Sequence, residues 1–276
     1  MRTLLSLSLS LLLLGACSQQ SPPASETPAA EQAAAAPEAA ATPAQPSADP
    51  IAAALAASGR LPEDLQADAG RKPVDVLAFF AVAPGMTVLD LFSGGGYYTE
   101  ILSHLVGEQG RVFAHNNTPY LDFVKEEIAK RYADPSRLAN VERFIGENNQ
   151  LELPDNRFDF VLLSMAYHDV YMVDEEHGWV RIDAPKMLAE IHAAMKPAAV
   201  VGVIDHAAAD GAPAETGGTL HRIDPELLKR DFTAAGFVFD GEIDVLRSAV
   251  DDHSQIVFAD EIRGKTDRFV FRFRKP

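Results

Sequence analysis

The sequence predicts an α/β domain: a doubly wound sheet, mostly parallel, with an antiparallel last strand. Three observations carry that expectation. A strand, a glycine turn and a helix start follow one another from Val88 to Leu105. Short apolar runs then alternate with helically spaced stretches. The segment 268–274, with phenylalanine at 269, 271 and 273, repeats with period two as a final antiparallel strand would. In the first unit, strand formers run into Asp90, glycines follow at 94, 95 and 96, and Tyr97, Ile101, Leu102 and Leu105 share one helix face. Glycine lets the backbone approach a ligand closely, and a helix start offers free N–H groups. A plain βα loop also favours glycine, so the turn alone decides nothing.

The later elements follow in order. Residues 110–115, 141–145, 158–163 and 200–205 read as strands two to five, and 121–132 and 184–195 as helices between them. Continuous apolar runs suit strands buried on both faces, and their alternation with helices implies parallel pairing. A ligand then belongs at the carboxyl ends of the strands, where the glycine turn lies. Asp224-Pro225-Glu226 reads as a helix start, with Asp224 as N-cap and Pro225 at the first position.

Several motifs stand in a telling order: Asp90-Leu91-Phe92-Ser93-Gly94-Gly95-Gly96, Leu153-Pro154-Asp155-Asn156-Arg157-Phe158-Asp159-Phe160-Val161, Met195-Lys196-Pro197 before strand five and Ala235-Gly236-Phe237 before strand six. Together they resemble the class I S-adenosylmethionine-dependent methyltransferases, over about 200 residues. The resemblance implies a Rossmann-like, class I methyltransferase fold with S-adenosylmethionine as cofactor. It assigns the cofactor to Asp90, Ser93, Gly94 and Gly96 of the first motif, and to Glu147 and Asn148 after strand three, near the adenine. Two positions depart from the family pattern. Phe92 stands where many members carry the first glycine. Asn116, in His115-Asn116-Asn117, occupies the slot of an acidic residue that binds the ribose hydroxyls, leaving an uncharged acceptor there.

Strand four ends in Ser164-Met165-Ala166-Tyr167-His168-Asp169, facing the expected cofactor. The resemblance puts substrate-orienting and proton-accepting residues here: His168 as base, oriented by Asp169, with Tyr167 beside them, or His168 as a structural cap of the loop. Strand five ends in Asp205-His206, and His221-Arg222 lies just before the helix start at Asp224. His221 joins the catalytic candidates, and His206 and Arg222 the substrate contacts. Arg222 can grip a carboxylate or phosphate through two N–H groups, or pair with a neighbouring acid. Three histidines and two acids (His168, Asp169, Asp205, His206 and His221) converging on one rim also suggest a metal, but no pair shows the helical i, i+4 zinc spacing and no cysteine is available, so none is assigned. Tyr97 and Tyr98 read as packing residues. The segment around Trp179 reads as a lid over the substrate or as a plain loop. Lys125, Lys130 and Arg131, interleaved with Glu126 and Glu127, read as one solvated helix face.

The chain starts with Met1-Arg2 and an apolar stretch at 4–14, shorter than the ~20 residues a membrane span needs. Residues 1–16 therefore read as a signal peptide. Leu14-Gly15-Ala16-Cys17 resembles the bacterial lipobox, which implies lipidation at Cys17, and Ser18 after it resembles outer-membrane sorting. Residues 17–50, rich in Ala and Pro, read as a disordered linker, and 51–276 as one domain. The single cysteine excludes a disulfide framework. A formal net charge of −16 argues against nucleic acid as partner. The leading expectation is thus a methyltransferase acting on a small-molecule or envelope substrate, exported and membrane-anchored on the periplasmic face. A binding module that keeps the fold without catalysis, and a metal-assisted hydrolase using the histidines, are the alternatives.

Overall fold

The computed structural model describes residues 48–134 and 136–276; the signal segment, Cys17 and the tether up to residue 47 lie outside the described residues. Three helices open the domain: α1 (Ala48–Leu55), α2 (Pro62–Arg71) and α3 (Pro73–Phe80). There follow β1 (Thr87–Leu91), α4 (Tyr97–Val106), β2 (Arg111–Asn116), α5 (Thr118–Arg131), β3 (Val141–Ile145), β4 (Phe158–Ser164), α6 (Ala184–Ala194), β5 (Met195–His206), α7 (Thr216–Leu220), α8 (Pro225–Ala234), β6 (Val238–Ile243) and β7 (Arg268–Arg274). The sheet order is β3-β2-β1-β4-β5-β7-β6. β1 to β5 pair in parallel, and β7 pairs antiparallel with both β5 and β6, so β7 alone runs against the rest. This is the expected sheet. The strand order reverses between β1 and β4, and the crevice beyond their carboxyl ends is where such a sheet takes its ligand.

Alternate residues of each strand feed two cores. Leu89, Leu91, Val161, Leu163 and Val203 face α6 and α8, meeting Met187, Leu188, Ile191 and Phe232. Val88, Val112, Phe160, Leu162 and Ile204 face the other side, against Ile51, Leu77, Phe80 and Ile101 from α1, α3 and α4. Burying each large side chain contributes about 1.5–3 kcal/mol. The α3 contact is close enough to demand glycine on β5: a Cβ at Gly202 would stand 2.6 Å from the Phe80 ring.

Three details differ from expectation. β5 begins at Met195, whose pairing with Phe158 precedes a register shift, so the Met195-Lys196-Pro197 motif lies within the strand. α5 begins at Thr118 rather than 121, capped by Asn117, whose side chain accepts from the Tyr120 N–H. Arg131, at the end of that helix, is buried instead of solvated. It donates to Asp64 at 2.7 Å, to Glu100, and to the Gly95 carbonyl. Two acids and a carbonyl converging on one guanidinium offset its loss of water, which a charge run read along the sequence does not reveal. Tyr97 does pack as expected, donating to Asp68 at 2.7 Å with Arg71 over its ring. Among the described residues no helix is long and apolar enough to cross a membrane.

Candidate functional site

The glycine turn after β1 is held from behind. A Cβ at Gly95 would meet the Glu127 Cβ at 2.8 Å, so α5 presses directly on the loop. Phe92 takes a left-handed φ of 55°, the conformation for which glycine carries no steric cost. Its ring packs on His115 and Tyr120, and its N–H donates to His115 Nδ1 at 3.3 Å. Burial pushes His115 down to about 4, so the neutral ring accepts at Nδ1 and donates from Nε2 to the Gly146 carbonyl at 2.8 Å.

Asn116 uses both ends of its amide on the turn. Its Oδ1 accepts from the Gly94 N–H at 2.9 Å, and its Nδ2 donates to the Gly94 carbonyl at 3.1 Å. A carboxylate lacks the second donor, which explains an amide where the family pattern has an acid. Asn116 therefore clasps the loop, and the expected ribose contact is not what its side chain does here. Asp90 is likewise internal. It is 2 % exposed, accepts from the Thr99 hydroxyl at 2.6 Å, and burial raises it to about 7 against that hydrogen bond and the charges of Arg131 and Arg71. Ser93 serves the turn through its backbone, donating to the His115 carbonyl and accepting from Gly96.

Beside the turn, at the carboxyl ends of β2 and β3, opens a cavity of about 540 Å³. Asn117, Thr118, Asp122, Glu147, Asn148 and Trp179 are among its walls. Glu147 accepts from the Thr118 hydroxyl at 2.7 Å, and Asn117 donates to the buried Asn148 at 3.0 Å. Trp179 sits on the segment between β4 and α6, bridged back to Asp174, and packs edge-on against Tyr120. That segment contributes His177, Gly178, Trp179 and Val180 to the walls of this cavity. Carboxylates and amides around a chamber of this size fit a nucleoside, whose hydroxyls and exocyclic amine need acceptors.

The rim after β4 is more heavily charged. Asp205, fully buried at the end of β5, accepts twice from His168: from its N–H at 2.9 Å and from Nδ1 at 2.7 Å. His168 Nε2 lies 3.3 Å from Asp169 Oδ1, and His221 Nδ1 lies 3.4 Å from the same oxygen. Burial lowers the basicity of His168, yet the Asp205 and Asp169 carboxylates outweigh it and lift the group to about 9. The two carboxylates thus favour the protonated ring over the neutral ring that a proton acceptor requires. Asp205, rather than the adjacent Asp169, orients it. Tyr120 spans the two regions. Its ring packs on Phe92 and Trp179, and burial, then the Asp169 and Asp205 charges, hold its phenol well above the ordinary value.

Three expected site residues are spent elsewhere. Tyr167 is fully buried and donates to Asp231 of α8 at 2.9 Å, because its neighbour His168 takes the side facing the rim. Arg222 is fully buried too. It grips both oxygens of Asp251 at 2.9 Å and donates to the Ala207 and Gln255 carbonyls, leaving no face for a substrate. His206 pairs through Nδ1 with the Thr266 hydroxyl at 2.8 Å, and burial pushes it down to about 3. Its ring centre is 5.9 Å from that of His168, so it borders the rim without a free Nδ1. Sequence reasoning missed Tyr120 and Asp122. The signal was present in Asn117-Thr118-Pro119, a cap and a first-turn proline that start α5 early enough to carry both.

Comparison with known proteins agrees with this architecture. Residues 73–170, spanning α3 to the rim, match the model of the protein-L-isoaspartate(D-aspartate) O-methyltransferase family. A ubiquinone/menaquinone biosynthesis C-methyltransferase of Shewanella piezotolerans is 35% identical over 88 residues, 32% of this chain and 34% of that protein. An arsenite methyltransferase of Halobacterium salinarum is 37% identical over 86 residues, 31% of this chain and 21% of that protein. The chain thus spans about a third or less of the length of these curated relatives. Among solved structures, a SAM-dependent methyltransferase from Aquifex aeolicus superposes with a TM-score of 0.54 at 24% identity, covering 78% of this chain and 94% of that one. An S-adenosylmethionine-dependent methyltransferase from Mesorhizobium loti gives 0.51 at 14%, covering 75% and 99%. The fold is that of the class I methyltransferases, and the sequence matches, each over about a third of this chain, are to methyltransferases.

Proposed function

We propose that this chain is a class I S-adenosylmethionine-dependent methyltransferase acting on a small molecule that reaches the rim between β4 and α7. The observation that carries the reading is the juxtaposition at the switch point. A clasped glycine turn stands beside a polar cavity suited to a nucleoside, and the histidine–carboxylate rim is one tyrosine away. The cofactor supplies an electrophilic methyl group when bound. Glu147, Asp122 and Asn148 would receive the nucleoside, and the Gly94 turn its amino-acid end. Trp179 and Tyr120 exclude water from the space between. Asp205 fixes the His168 ring so that Nε2 points into the rim, where an incoming nucleophile is oriented in line with the methyl group. Asp169 and His221 border the same space.

The test is calorimetric titration of the chain with S-adenosylmethionine and with S-adenosylhomocysteine. One site per chain is expected. Glu147→Ala should weaken binding about tenfold, the loss of ~1.5 kcal/mol of charge-assisted bonding. Gly94→Val, at a φ of 56° with the Tyr120 ring 3.5 Å from its new Cβ, should abolish binding. A folded wild-type chain that gives no heat with either nucleoside overturns the reading and leaves the binding-module alternative.

The compartment belongs to the same proposal. The short apolar core before Leu14-Gly15-Ala16-Cys17 supports export and anchoring through lipidated Cys17, with the domain on the periplasmic face of the outer membrane.

A further inference from the structure

The rim residues that would orient a nucleophile are also arranged as a metal donor set. His168 Nε2, Asp169 Oδ1 and His221 Nδ1 all lie within 4.8 Å of one another. The two separations involving the carboxylate are 3.3 and 3.4 Å. Tetrahedral zinc with bonds of ~2.0–2.1 Å to nitrogen and oxygen has its ligands ~3.3–3.4 Å apart. Asp169 is 4 % exposed, and its Oδ1 has no hydrogen-bond partner in the protein. A buried carboxylate oxygen here needs a positive charge beside it, which is either the proton on His168 Nε2 or a metal ion that displaces that proton. His168 is arranged as a ligand would be: Asp205 accepts from Nδ1 at 2.7 Å, which turns Nε2 towards Asp169. A carboxylate behind a histidine in this manner fixes the ring and strengthens its bond to a metal. His221 adds a nitrogen from the far side of the crevice, at the end of α7, with its ring packed on Phe258.

We propose that His168 Nε2, Asp169 Oδ1 and His221 Nδ1 form a binding site for a divalent transition-metal ion, zinc by the character of its donors. Three protein ligands leave a fourth position open, the pattern of a zinc that meets water or a substrate atom. A water or a substrate oxygen or sulfur would complete the ion there, at the carboxyl end of β4. The sequence brings these residues to one rim but shows no ligand spacing, because two donors are consecutive at 168–169 and the third arrives from another loop. The site follows from the rim's geometry and stands whether or not the chain binds S-adenosylmethionine.

The experiment uses the full chain, stripped with chelator, and zinc chloride as the probe, with no nucleoside present. Calorimetry should give one zinc per chain. Asp169→Asn and His221→Gln should each lower the affinity at least 100-fold, while Asp205→Asn, which takes the charge from the group behind His168, should lower it 10–100-fold. Cobalt loaded in place of zinc should show the visible bands of a tetrahedral ion in wild type and lose them in His221→Gln. Circular dichroism establishes that each variant is folded. A folded wild type without stoichiometric zinc overturns the proposal. So does zinc bound equally well by wild type, Asp169→Asn and His221→Gln, which would place the ion elsewhere, for example on the exposed His177–Asp174 pair.

Discussion

Burial raises the Asp90 carboxyl to about 7, and this makes the protein's stability sensitive to pH near neutrality. A carboxyl whose folded value lies above its unfolded value holds its proton more tightly in the native state. Its stabilising contribution is complete below about 4 and is lost as pH rises towards 7. Above that, the native state carries a buried carboxylate, which costs about 1.4 kcal/mol for every tenfold by which folding weakens the acid. Asp90→Asn keeps an acceptor for Thr99 and carries no charge. In thermal unfolding between pH 4 and 8, the variant should gain on wild type as pH rises to about 7 and hold a constant advantage beyond. Parallel curves over that range would mean that Asp90 is ionised and well solvated. The same single-residue logic accounts for Asn116: two opposite hydrogen-bonding roles, one donor and one acceptor, require an amide.

At the level of the element, α5 is the most informative. One end places Asp122 at the cavity and Tyr120 against Trp179; the other sends Arg131 under the glycine turn. Arg131→Met would leave Asp64 and Glu100 facing each other without their common cation, and should cost about 3–5 kcal/mol. Lys130→Met, one residue away with an exposed side chain 3.6 Å from Glu63, should leave the melting temperature unchanged. Comparing the two by denaturant unfolding checks the prediction, and equal effects would refute it. The contrast also shows where sequence reading stops. Apolar runs determine strands, so the sheet with its reversed last strand is legible from 88 to 274. The glycine turn and the residues of the rim are legible as a neighbourhood. What a polar side chain is paired with depends on partners far away in sequence. Arg131 with Asp64, Arg222 with Asp251 and Tyr167 with Asp231 all lie beyond such a reading. The place of His168 can be read from the end of β4, but its charge state follows from Asp205, 37 residues on.

For the whole molecule, composition and the N-terminal pattern give a testable address. Cys17→Ala should leave the protein unacylated, either unprocessed or released from the membrane fraction, as read by palmitate labelling and fractionation. Unchanged acylation in that variant would remove the anchor from the account. The domain itself has a different whole-chain property, set by the place of β7. That strand is inserted between β5 and β6 and pairs with both. During vectorial synthesis β5 is complete at residue 206, but its neighbour is not made until 268–274. Until then the row from Val200 to Ile204 is an unpaired edge carrying valines and an isoleucine, a template for association with other chains. β6, already formed in sequence, cannot cover it, because Val238 and Phe239 take their partners from β7 and not from β5. The domain is thus closed like a drawstring by its final segment, and the β5 edge stays open for as long as that segment is still to come.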